Sequence, residues 1–313
     1  MSGERVLITC RQMQNCIDEF RPRLNERQLE LVLPEIVQQP SEEDLIEIIG
    51  GFDGMIAGDD PLSARVLDHA KRMRIISKWG VGIDGIDLEA ARTLGIPVVN
   101  TPGVFGGEVA DIALGYVIML ARQLHRIDAS VRAGGWFKHE GRSLDGKVLG
   151  IAGFGSIGQA VGTRGKGFGM RVVAHDVSDA ASATAEKMGV EMLGRDELFQ
   201  QSDFLVLCSP LTPETRHMVN ERTLSLMQPG SFLINVGRGP LVDEAALIQA
   251  LDSGHMAAAA LDVFEEEPLP ASSGLRRFDQ CVFGSHNASN TYEGVLRASA
   301  RAVENLLQGL DTA

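Results

Sequence analysis

The 313 residues of this chain are enough for two domains, each able to bury its own hydrophobic core. The formal net charge of −13 argues against nucleic acid or an anionic membrane as a partner, because both would repel an acidic surface. With 44% hydrophobic and 23% charged residues, the composition is typical of a soluble globular protein. No apolar stretch of the sequence approaches the roughly 20 residues needed to span a bilayer, so no membrane partner is expected.

The four cysteines, Cys10, Cys16, Cys208 and Cys281, are scattered along the chain. They show neither a CxxC pair nor the spacing of metal ligands, so we expect buried thiols and no metal cofactor. The first ten residues lead directly into an apolar strand pattern and lack the apolar core of a signal peptide. Together these features predict a cytoplasmic protein.

The N-terminal third alternates short apolar runs with helical or polar segments, which predicts a parallel sheet covered by helices. A helix is expected over Ser41–Ile49, with Ser41 as its N-cap and acidic residues in its first turn. One long helix, apolar on one face, is expected over Glu108–Arg132. The expected strands are Arg5–Thr9, Gly54–Ala57, Arg74–Ser77 and Pro97–Val99.

The segment Lys147–Asp176 has the pattern of a strand, a glycine turn, a helix and a second strand that ends in an acid. Its glycines, Gly153, Gly155 and Gly158, have the G-x-G-x-x-G spacing. The first permits a tight turn, the second lets the backbone approach a pyrophosphate, and the third lets helix and strand pack closely. The pyrophosphate would lie on free N–H groups at the helix N-terminus. Asp176 is placed to accept both ribose hydroxyls of NAD.

Asp176 also bears on the choice of cofactor. Its carboxylate would repel a 2′-phosphate, and the next residues, Val177, Ser178 and Asp179, offer no cation to hold one. The motif therefore favours NAD(H) over NADP(H). Other Rossmann ligands, such as FAD or S-adenosylmethionine, stay open on the motif alone.

Four more strands and a final helix are expected after this unit. The helix, Tyr292–Leu310, has no partner strand behind it and is expected to fold back onto the N-terminal domain, making that domain discontinuous. Two α/β domains with a cleft between them are therefore predicted. The expected strands are Phe204–Leu207, Ser231–Asn235, Ala257–Asp262 and Gln280–Phe283.

Three polar signals follow expected strands, at the end that faces the ligand crevice of an open parallel sheet. Arg238 lies in the glycine loop INVGRG, where it is either a surface arginine or a guanidinium that holds a carboxylate by two parallel bonds. Two acids of the run Glu265–Glu267 are expected in a solvated turn. His286 is either structural or catalytic; an acid paired with it would raise its pKa and set its tautomer for proton transfer.

These blocks, in this order, resemble the D-isomer-specific 2-hydroxyacid dehydrogenase family, which includes phosphoglycerate, glycerate, lactate and formate dehydrogenases. The resemblance covers nearly the whole chain. It implies an α/β fold of two doubly wound parallel-sheet domains, with a Rossmann NAD-binding domain inserted into a flavodoxin-like substrate domain. It rests on GVGIDGIDLEAARTLGIPVVNTPG, the glycine motif with Asp176, SPLTPETRHMVN, INVGRGPLVDEAAL, AALDVFEEEP and SHNAS.

The resemblance implies roles for particular residues. Arg238 matches the substrate-orienting arginine, His286 the acid/base and Glu267 its carboxylate partner. Asp262 matches the acid near the nicotinamide carboxamide. Substrate contacts are implied for Gly80, Val81, Gly82 and Arg238, and Lys78 is expected to contact a substrate tail. Cofactor contacts are implied for Gly153, Gly155, Ser156, Ile157, Gly158, Asp176, Ser209, Pro210, Thr215, Val236, Gly237, Asp262 and His286.

The resemblance also implies a domain division and an oligomeric state. Residues 1–99 and 288–313 are expected to form the substrate domain, and residues 100–287 the NAD-binding domain. Relatives use the region of the helix Glu108–Arg132 to form a two-fold dimer, so a homodimer is expected by analogy.

Two alternative functions stay open. Members acting on 3-phosphoglycerate carry a basic residue shortly after the strand Gly54–Ala57, whereas this chain has Asp59 and Asp60, which would repel a phosphate if they face the cleft. Lys78 could replace the missing charge. A cofactor-sensing binding protein, like the corepressors that share this fold, is the alternative of another class. Turnover of any 2-oxo acid with NADH separates it from a dehydrogenase.

Overall fold

The computed structural model describes residues 3–35 and 40–312. The chain divides into two compact units, one formed by Met1–Phe105 with Asn290–Ala313 and the other by Gly106–Ser289. Each unit is an α/β structure built on one sheet whose strand pairs are parallel, which confirms the predicted fold class. The assignment of one unit to substrate and the other to cofactor stays a prediction.

Strands and helices alternate through both units, numbered here in chain order. The strands are β1 Arg5–Ile8, β2 Glu30–Val32, β3 Gly54–Ala57, β4 Ile75–Lys78, β5 Val98–Val99, β6 Val148–Ala152, β7 Arg171–His175, β8 Glu191–Met192, β9 Phe204–Leu207, β10 Ser231–Asn235, β11 Met256–Leu261 and β12 Val282–Phe283. The α-helices are α1 Arg11–Gln14, α2 Arg21–Asn25, α3 Glu42–Ile48, α4 Ala64–Leu67, α5 Leu88–Thr93, α6 Gly106–Arg122, α7 Leu124–Arg132, α8 Ser156–Gly167, α9 Asp179–Met188, α10 Arg195–Gln201, α11 Glu221–Leu226, α12 Glu244–Asp252 and α13 Tyr292–Thr312. Short 3-10 turns lie at Ile17–Glu19, Ile49–Gly51, Gly239–Leu241 and Gly274–Arg277.

The sheet of the first unit has the strand order β2-β1-β3-β4-β5. This is the flavodoxin-like order, in which the direction of winding reverses between β1 and β3. Helix α13 packs on β4, where the Ser77 hydroxyl donates to the Ala302 carbonyl at 2.8 Å. The predicted return of the last helix to the N-terminal unit is therefore confirmed.

The sheet of the second unit has the order β12-β11-β10-β9-β6-β7-β8. Its winding reverses between β6 and β9, as in a Rossmann fold, so the loop after β6 lies at the ligand-binding crevice of the sheet. The central strands β9 and β10 are buried along their whole length, and the rings of Phe204 and Phe232 stack 4.7 Å apart between them. Within the described parts of the chain, no helix combines the length and apolarity required to cross a membrane.

The capped helix predicted after Ser41 is present as α3. The Ser41 hydroxyl accepts from the Asp44 N–H at 3.1 Å, and the Asp44 carboxylate accepts from the Ser41 N–H at 2.9 Å. This reciprocal capping box satisfies two backbone donors at the helix start. Three acidic residues in the first turn also lie at the positive end of the helix dipole.

The prediction of a single long helix over Glu108–Arg132 is wrong, because the segment does not form one continuous helix. It is two helices, α6 and α7, because Gln123 between them adopts a left-handed backbone with φ +52° and interrupts the helical hydrogen bonding. The other predicted elements differ from the observed ones only at their ends. Predicted strand Arg74–Ser77 is Ile75–Lys78, Ala257–Asp262 is Met256–Leu261, and Gln280–Phe283 is reduced to Val282–Phe283.

A buried carboxyl group lies at the reversal point of the first sheet. Asp60, in the loop after β3, is 3% exposed, and its Oδ2 accepts from the Thr9 hydroxyl at 2.5 Å. Burial raises the pKa of Asp60 to about 6, although the Thr9 hydrogen bond and the charge of Lys78 oppose that rise. The Asp60 carboxyl group is therefore buried inside its unit.

Replacing Asp60 by asparagine should change how stability depends on pH. Because the pKa of Asp60 is raised by folding, its ionised form costs the folded state free energy as pH rises through that value. We expect the unfolding free energy of Asp60→Asn, relative to wild type, to increase by up to about 3 kcal/mol between about pH 4 and pH 7. The unfolding free energy is measured by urea titration, with the fluorescence of buried Trp79 as the probe in a Trp136→Phe background.

The exposed Asp68, in the same unit, provides the control for this measurement. Asp68→Asn should leave the pH dependence of the unfolding free energy as it is in wild type. Parallel pH curves for Asp60→Asn and wild type would contradict the account of the buried carboxyl group.

Candidate active site

The glycine loop after β6 has the geometry that its sequence predicts. Gly153 has φ +91°, and a Cβ there would lie 2.6 Å from the backbone nitrogen of Ser209. A Cβ on Gly158 would lie 2.1 Å from the Gly153 carbonyl oxygen, so α8 packs against the loop more closely than any side chain at position 158 would allow. A side chain at either position would therefore collide with backbone.

Gly155 differs from the other two glycines, because a Cβ there would meet no atom within 4 Å. It is the N-cap of α8, and both Gly155 and Ser156 are exposed. The first N–H groups of α8 have no partner within the helix and carry the positive end of its dipole. An open, glycine-lined helix start of this kind is suited to a pyrophosphate. Ile157 is half-buried in the first turn.

Asp176 follows β7 and lies against the glycine loop. Its Oδ2 accepts from the Phe154 N–H at 2.7 Å, and its Oδ1 accepts from the Ser178 N–H at 2.9 Å. These two bonds fix the carboxylate beside the glycine turn, and each oxygen keeps a further lone pair for a ligand hydroxyl. Val177, the next residue, is 94% exposed.

The loop after β9 lies between the glycine loop and the loop after β10. A Cβ on Gly237 would lie 3.0 Å from the carbonyl oxygen of Ser209, the same residue that contacts Gly153. Val236, the residue before Gly237, is buried. The Thr215 hydroxyl donates to the Pro210 carbonyl at 2.8 Å and so shapes the loop after β9. Three neighbouring strands therefore bring their loops together at one edge of the sheet.

Arg238 leaves β10 on a loop that is clamped by Asn235. The Asn235 side chain donates to the Arg238 carbonyl at 2.8 Å and accepts from the Gly237 N–H at 3.1 Å. The next residue, Gly239, packs so tightly that a Cβ there would lie 1.7 Å from the Phe264 carbonyl oxygen. The Arg238 loop is thus pressed against the loop that follows β11.

Glu267 and His286 form a hydrogen-bonded pair. Oε2 of Glu267 lies 2.8 Å from Nδ1 of His286, and Oε1 accepts from the Phe264 N–H at 2.9 Å. Each side chain is about one-third exposed, so solvent or a ligand reaches the pair. Because the ionised carboxylate only accepts, it selects the imidazole tautomer with hydrogen on Nδ1. The structure brings together these two residues from separate loops of the sequence.

His217 and Glu265 form a second histidine–glutamate pair, which the sequence analysis did not identify. Nε2 of His217 is 2.6 Å from Oε1 of Glu265, whose Oε2 accepts from the Glu244 N–H at the start of α12. Glu265 is exposed, as expected for a solvated turn, and these bonds also let it join two loops. The histidine in the block SPLTPETRHMVN was the only sign of this pair in the sequence, and nothing in that block indicates that an acid pairs with it.

Asp262, directly after β11, is 2% exposed. Its Oδ1 accepts from the Tyr116 hydroxyl at 3.0 Å, and its Oδ2 accepts from the Ala288 N–H at 2.9 Å. The carboxylate is thus bound to helix α6 and to the segment that carries His286. Tyr116 was missed by the sequence analysis, because a tyrosine on an apolar helix carries no motif.

The predicted substrate loop lies in the first unit. Thr101 binds Gly80 from both sides, accepting from its N–H at 2.9 Å and donating its own N–H to the Gly80 carbonyl at 3.0 Å. The Asn100 side chain donates to the Val81 carbonyl at 2.6 Å. Val81 is exposed and Gly82 half-buried, so this fixed loop presents backbone to solvent.

Lys78, under this loop, is 5% exposed rather than a surface lysine. Its ammonium donates to Oδ1 of Asp59 at 3.0 Å and to the Trp79 carbonyl at 2.8 Å. Trp79 is packed in the unit, with its ring 5.3 Å from that of Phe105 and its indole N–H donating to Ser299. The positive charge of Lys78 is therefore balanced by Asp59.

These residues fit a nicotinamide dinucleotide. The open helix start at Gly155 and the fixed carboxylate of Asp176 supply the pyrophosphate and ribose contacts that such a ligand needs. Among residues 3–35 and 40–312, no three histidine, cysteine or acidic side chains are grouped so as to hold a metal ion.

Comparisons with known proteins point to one family. Residues 114–288 match the family model described as "D-isomer specific 2-hydroxyacid dehydrogenase, NAD binding domain". The glyoxylate reductase of Thermococcus onnurineus is 38% identical over 310 residues, covering 95% of this chain and 91% of that protein. The D-3-phosphoglycerate dehydrogenase of Methanocaldococcus jannaschii is 37% identical over 88% of this chain, but the match spans only 53% of that longer protein.

Solved structures are similar over the whole chain. D-lactate dehydrogenase of Aquifex aeolicus, complexed with NAD and lactic acid, has a TM-score of 0.83 at 27% identity, covering 96% of this chain and 93% of that one. The NADPH-dependent glyoxylate/hydroxypyruvate reductase of Sinorhizobium meliloti, in complex with NADP and malonate, has a TM-score of 0.86 at 31% identity, covering 99% and 95%.

Adding one methyl group at Gly155 should separate cofactor binding from folding. Because the Cβ meets no protein atom, Gly155→Ala should melt like wild type, whereas the methyl occupies the open side of the helix start. We expect the Kd for NADH to rise at least about tenfold, equivalent to about 1.4 kcal/mol. Calorimetric titration measures it. Gly167→Ala, at the other end of α8 and also in open space, is the matched control; equal affinities in both variants would contradict the assignment.

Proposed function

This chain belongs to the D-isomer specific 2-hydroxyacid dehydrogenase family, and from that premise we propose that it interconverts a small, unphosphorylated 2-oxo acid and its D-2-hydroxy acid with NAD(H). It is an NAD-dependent oxidoreductase acting on hydroxy acids; the proposal adds the substrate class and the residues. The observation that carries it is the 2.8 Å hydrogen bond between Nδ1 of His286 and Oε2 of Glu267.

In this proposal Glu267 sets the proton chemistry of His286. Its carboxylate holds hydrogen on Nδ1, so Nε2 is the nitrogen that exchanges the substrate proton. During oxidation Nε2 takes the proton of the C2 hydroxyl, and Glu267 stabilises the imidazolium that results. During reduction the imidazolium returns the proton to the C2 oxygen. When bound, the nicotinamide supplies or accepts the hydride at C2.

Arg238 supplies the positive charge of the site. Its guanidinium binds the substrate carboxylate and polarises the C2 oxygen, which stabilises negative charge that develops there. Two contacts support this role. Asn235 fixes the Arg238 backbone, and Gly239 presses the loop against Phe264, whose N–H binds Glu267.

The cofactor is proposed to be NAD rather than NADP. Asp176 accepts the ribose hydroxyls and repels a 2′-phosphate, and the following residues supply no cation. Asp262 is proposed to lie near the nicotinamide carboxamide. The second unit, within residues 100–287, would thus be the NAD-binding domain, and residues 1–99 with 288–313 the substrate domain.

The substrate is proposed to lack a phosphate group. Backbone groups of Gly80–Gly82 bind its carboxylate, with Lys78 beneath them at the tail end of the site. Because Asp59 already balances the charge of Lys78, this pair offers little net attraction for a phosphate dianion. That argues against a 3-phosphoglycerate dehydrogenase. A cofactor-sensing corepressor is disfavoured by the bonded Glu267–His286 pair, which binding alone does not require.

We further propose a cytoplasmic homodimer. Helix α7 has no buried residue, and apolar side chains are exposed along it and after it. Leu124 is 45% exposed, Val131 48% and Trp136 78%. Such an apolar surface on α7 and the segment that follows is suited to a second copy of the chain.

Removing the imidazole should abolish turnover. His286 has a left-handed backbone with φ +54°, which asparagine tolerates better than alanine, so His286→Asn is the variant of choice. We expect kcat for reduction of glyoxylate by NADH to fall by about 100-fold or more. Steady-state kinetics with glyoxylate, hydroxypyruvate, pyruvate and 3-phosphohydroxypyruvate measure it.

His217→Asn is the matched control, because His217 also has a left-handed backbone, φ +50°, and a glutamate partner. It should retain most of the wild-type kcat. Normal turnover by His286→Asn would end the catalytic assignment. Preference for the phosphorylated substrate would end the substrate proposal alone, and turnover of no 2-oxo acid would favour the binding protein.

A charge on α7 should dissociate the proposed dimer. Val131→Glu places a carboxylate among the exposed apolar side chains, where burial against a second copy would be unfavourable. Light scattering after gel filtration should give the molar mass of a dimer for wild type and that of a single chain for Val131→Glu. Leu94→Glu, an exposed apolar position in the first unit, should remain dimeric. A monomeric wild type would contradict the dimer.

A further inference from the structure

His286 lies in a turn that its own sequence does not favour. Its φ is +54°, a left-handed conformation that costs free energy in a residue other than glycine. Such a conformation persists only where neighbouring groups hold it. The groups that hold this turn therefore determine where the imidazole lies relative to Glu267.

Asp262 holds the turn at two points. Its backbone carbonyl accepts from the His286 N–H at 2.7 Å, and its carboxylate Oδ2 accepts from the Ala288 N–H at 2.9 Å. These bonds fix the backbone of His286 and of Ala288, two positions later. Both bonds come from one residue, and the bond to Ala288 depends on the position of the Asp262 side chain.

Tyr116 fixes that side chain. From helix α6 its hydroxyl donates to Oδ1 of Asp262 at 3.0 Å. Burial, together with the negative charge of Asp262, raises the pKa of Tyr116 far above its usual value, so the hydroxyl keeps its proton and remains a donor. Asp262 is 2% exposed, so water does not replace this donor without a rearrangement.

Gly284 shows how closely the pair fits the start of the turn. A Cβ on Gly284 would lie 2.0 Å from Oδ1 of Asp262 and 2.4 Å from the Tyr116 hydroxyl oxygen. The tyrosine–aspartate bond therefore occupies the space that a side chain at position 284 would take. The Gly284 N–H also donates to the Leu261 carbonyl at 2.8 Å, which continues the contact between the two segments.

We propose that Tyr116 is a positioning residue, which acts through Asp262 to hold the His286 turn so that Nδ1 meets Glu267. This inference rests on the proposed acid/base role of His286. It assigns to Tyr116 no contact with substrate or cofactor. Loss of its hydroxyl leaves the buried Asp262 carboxylate with one fewer hydrogen-bond donor, which loosens the turn. The imidazole then no longer meets Glu267 in one position, so Glu267 no longer selects a single tautomer.

Tyr116→Phe tests the proposal, because it removes the hydroxyl and keeps the ring. We expect kcat for glyoxylate reduction to fall about 5- to 20-fold while KM for glyoxylate stays within about twofold. In protein labelled with ¹⁵N-histidine, the His286 ring should change from one tautomer, with hydrogen on Nδ1, to a mixture. A merely structural role would not change the tautomer. Tyr292→Phe is the matched control, since the chain has two tyrosines and Tyr292 is 70% exposed.

The outcome is separable from that of the proposed function. If His286→Asn is inactive and Tyr116→Phe has the wild-type kcat, or a reduced kcat with unchanged His286 signals, the inference about Tyr116 is overturned while the proposed function stands. If His286→Asn turns over normally, the proposed function has failed, whatever Tyr116→Phe does. A reduced kcat with mixed tautomers, in Tyr116→Phe and not in Tyr292→Phe, supports the inference.

Discussion

Close backbone contacts between loops at one edge of the seven-stranded sheet are the constraint on which the candidate site depends. Gly153, Gly237 and Gly239 each lie where a Cβ would meet the backbone of a neighbouring loop within about a van der Waals contact or less. Parallel strands deliver their following loops to the same edge, and these glycines let the loops touch. Residues far apart in the sequence thereby become one site.

The same arrangement gives each polar group a defined state. Asp176, Glu267 and Asp262 all accept backbone N–H bonds that fix the direction of their carboxylates. Fixed dipoles and charges are worth more to a reaction than mobile ones, because they need no reorganisation as charge develops. In the first unit, Asp59 balances the charge of Lys78, and the proposal of an unphosphorylated substrate rests on that pairing.

Much of this was predictable from sequence. Strands such as Gly54–Ala57 and Phe204–Leu207 have the predicted bounds, because buried parallel strands are continuous apolar runs between polar breaks. The glycine motif specified its own geometry. The pairing of Glu267 with His286 came from the family resemblance, since the residues between them carry no signal of that contact.

The remainder depends on tertiary packing. No glycine or proline marks the break at Gln123, so periodicity alone extends the helix through it. Lys78 and Asp60 are buried against partners in the loops after other strands, Asp59 and Thr9 respectively, which a local pattern does not reveal. Tyr116 gains its role only because α6 crosses the sheet beside the end of β11.

A crystal structure of the protein with NADH and oxamate, an unreactive analogue of a 2-oxo acid, tests the central claim most directly. The account predicts that the carbonyl oxygen of oxamate lies within hydrogen-bonding distance, about 2.6–3.2 Å, of Nε2 of His286, with the Arg238 guanidinium on the same ligand. Oxamate bound elsewhere, or bound beside NADH with His286 directed away from it, would contradict the account.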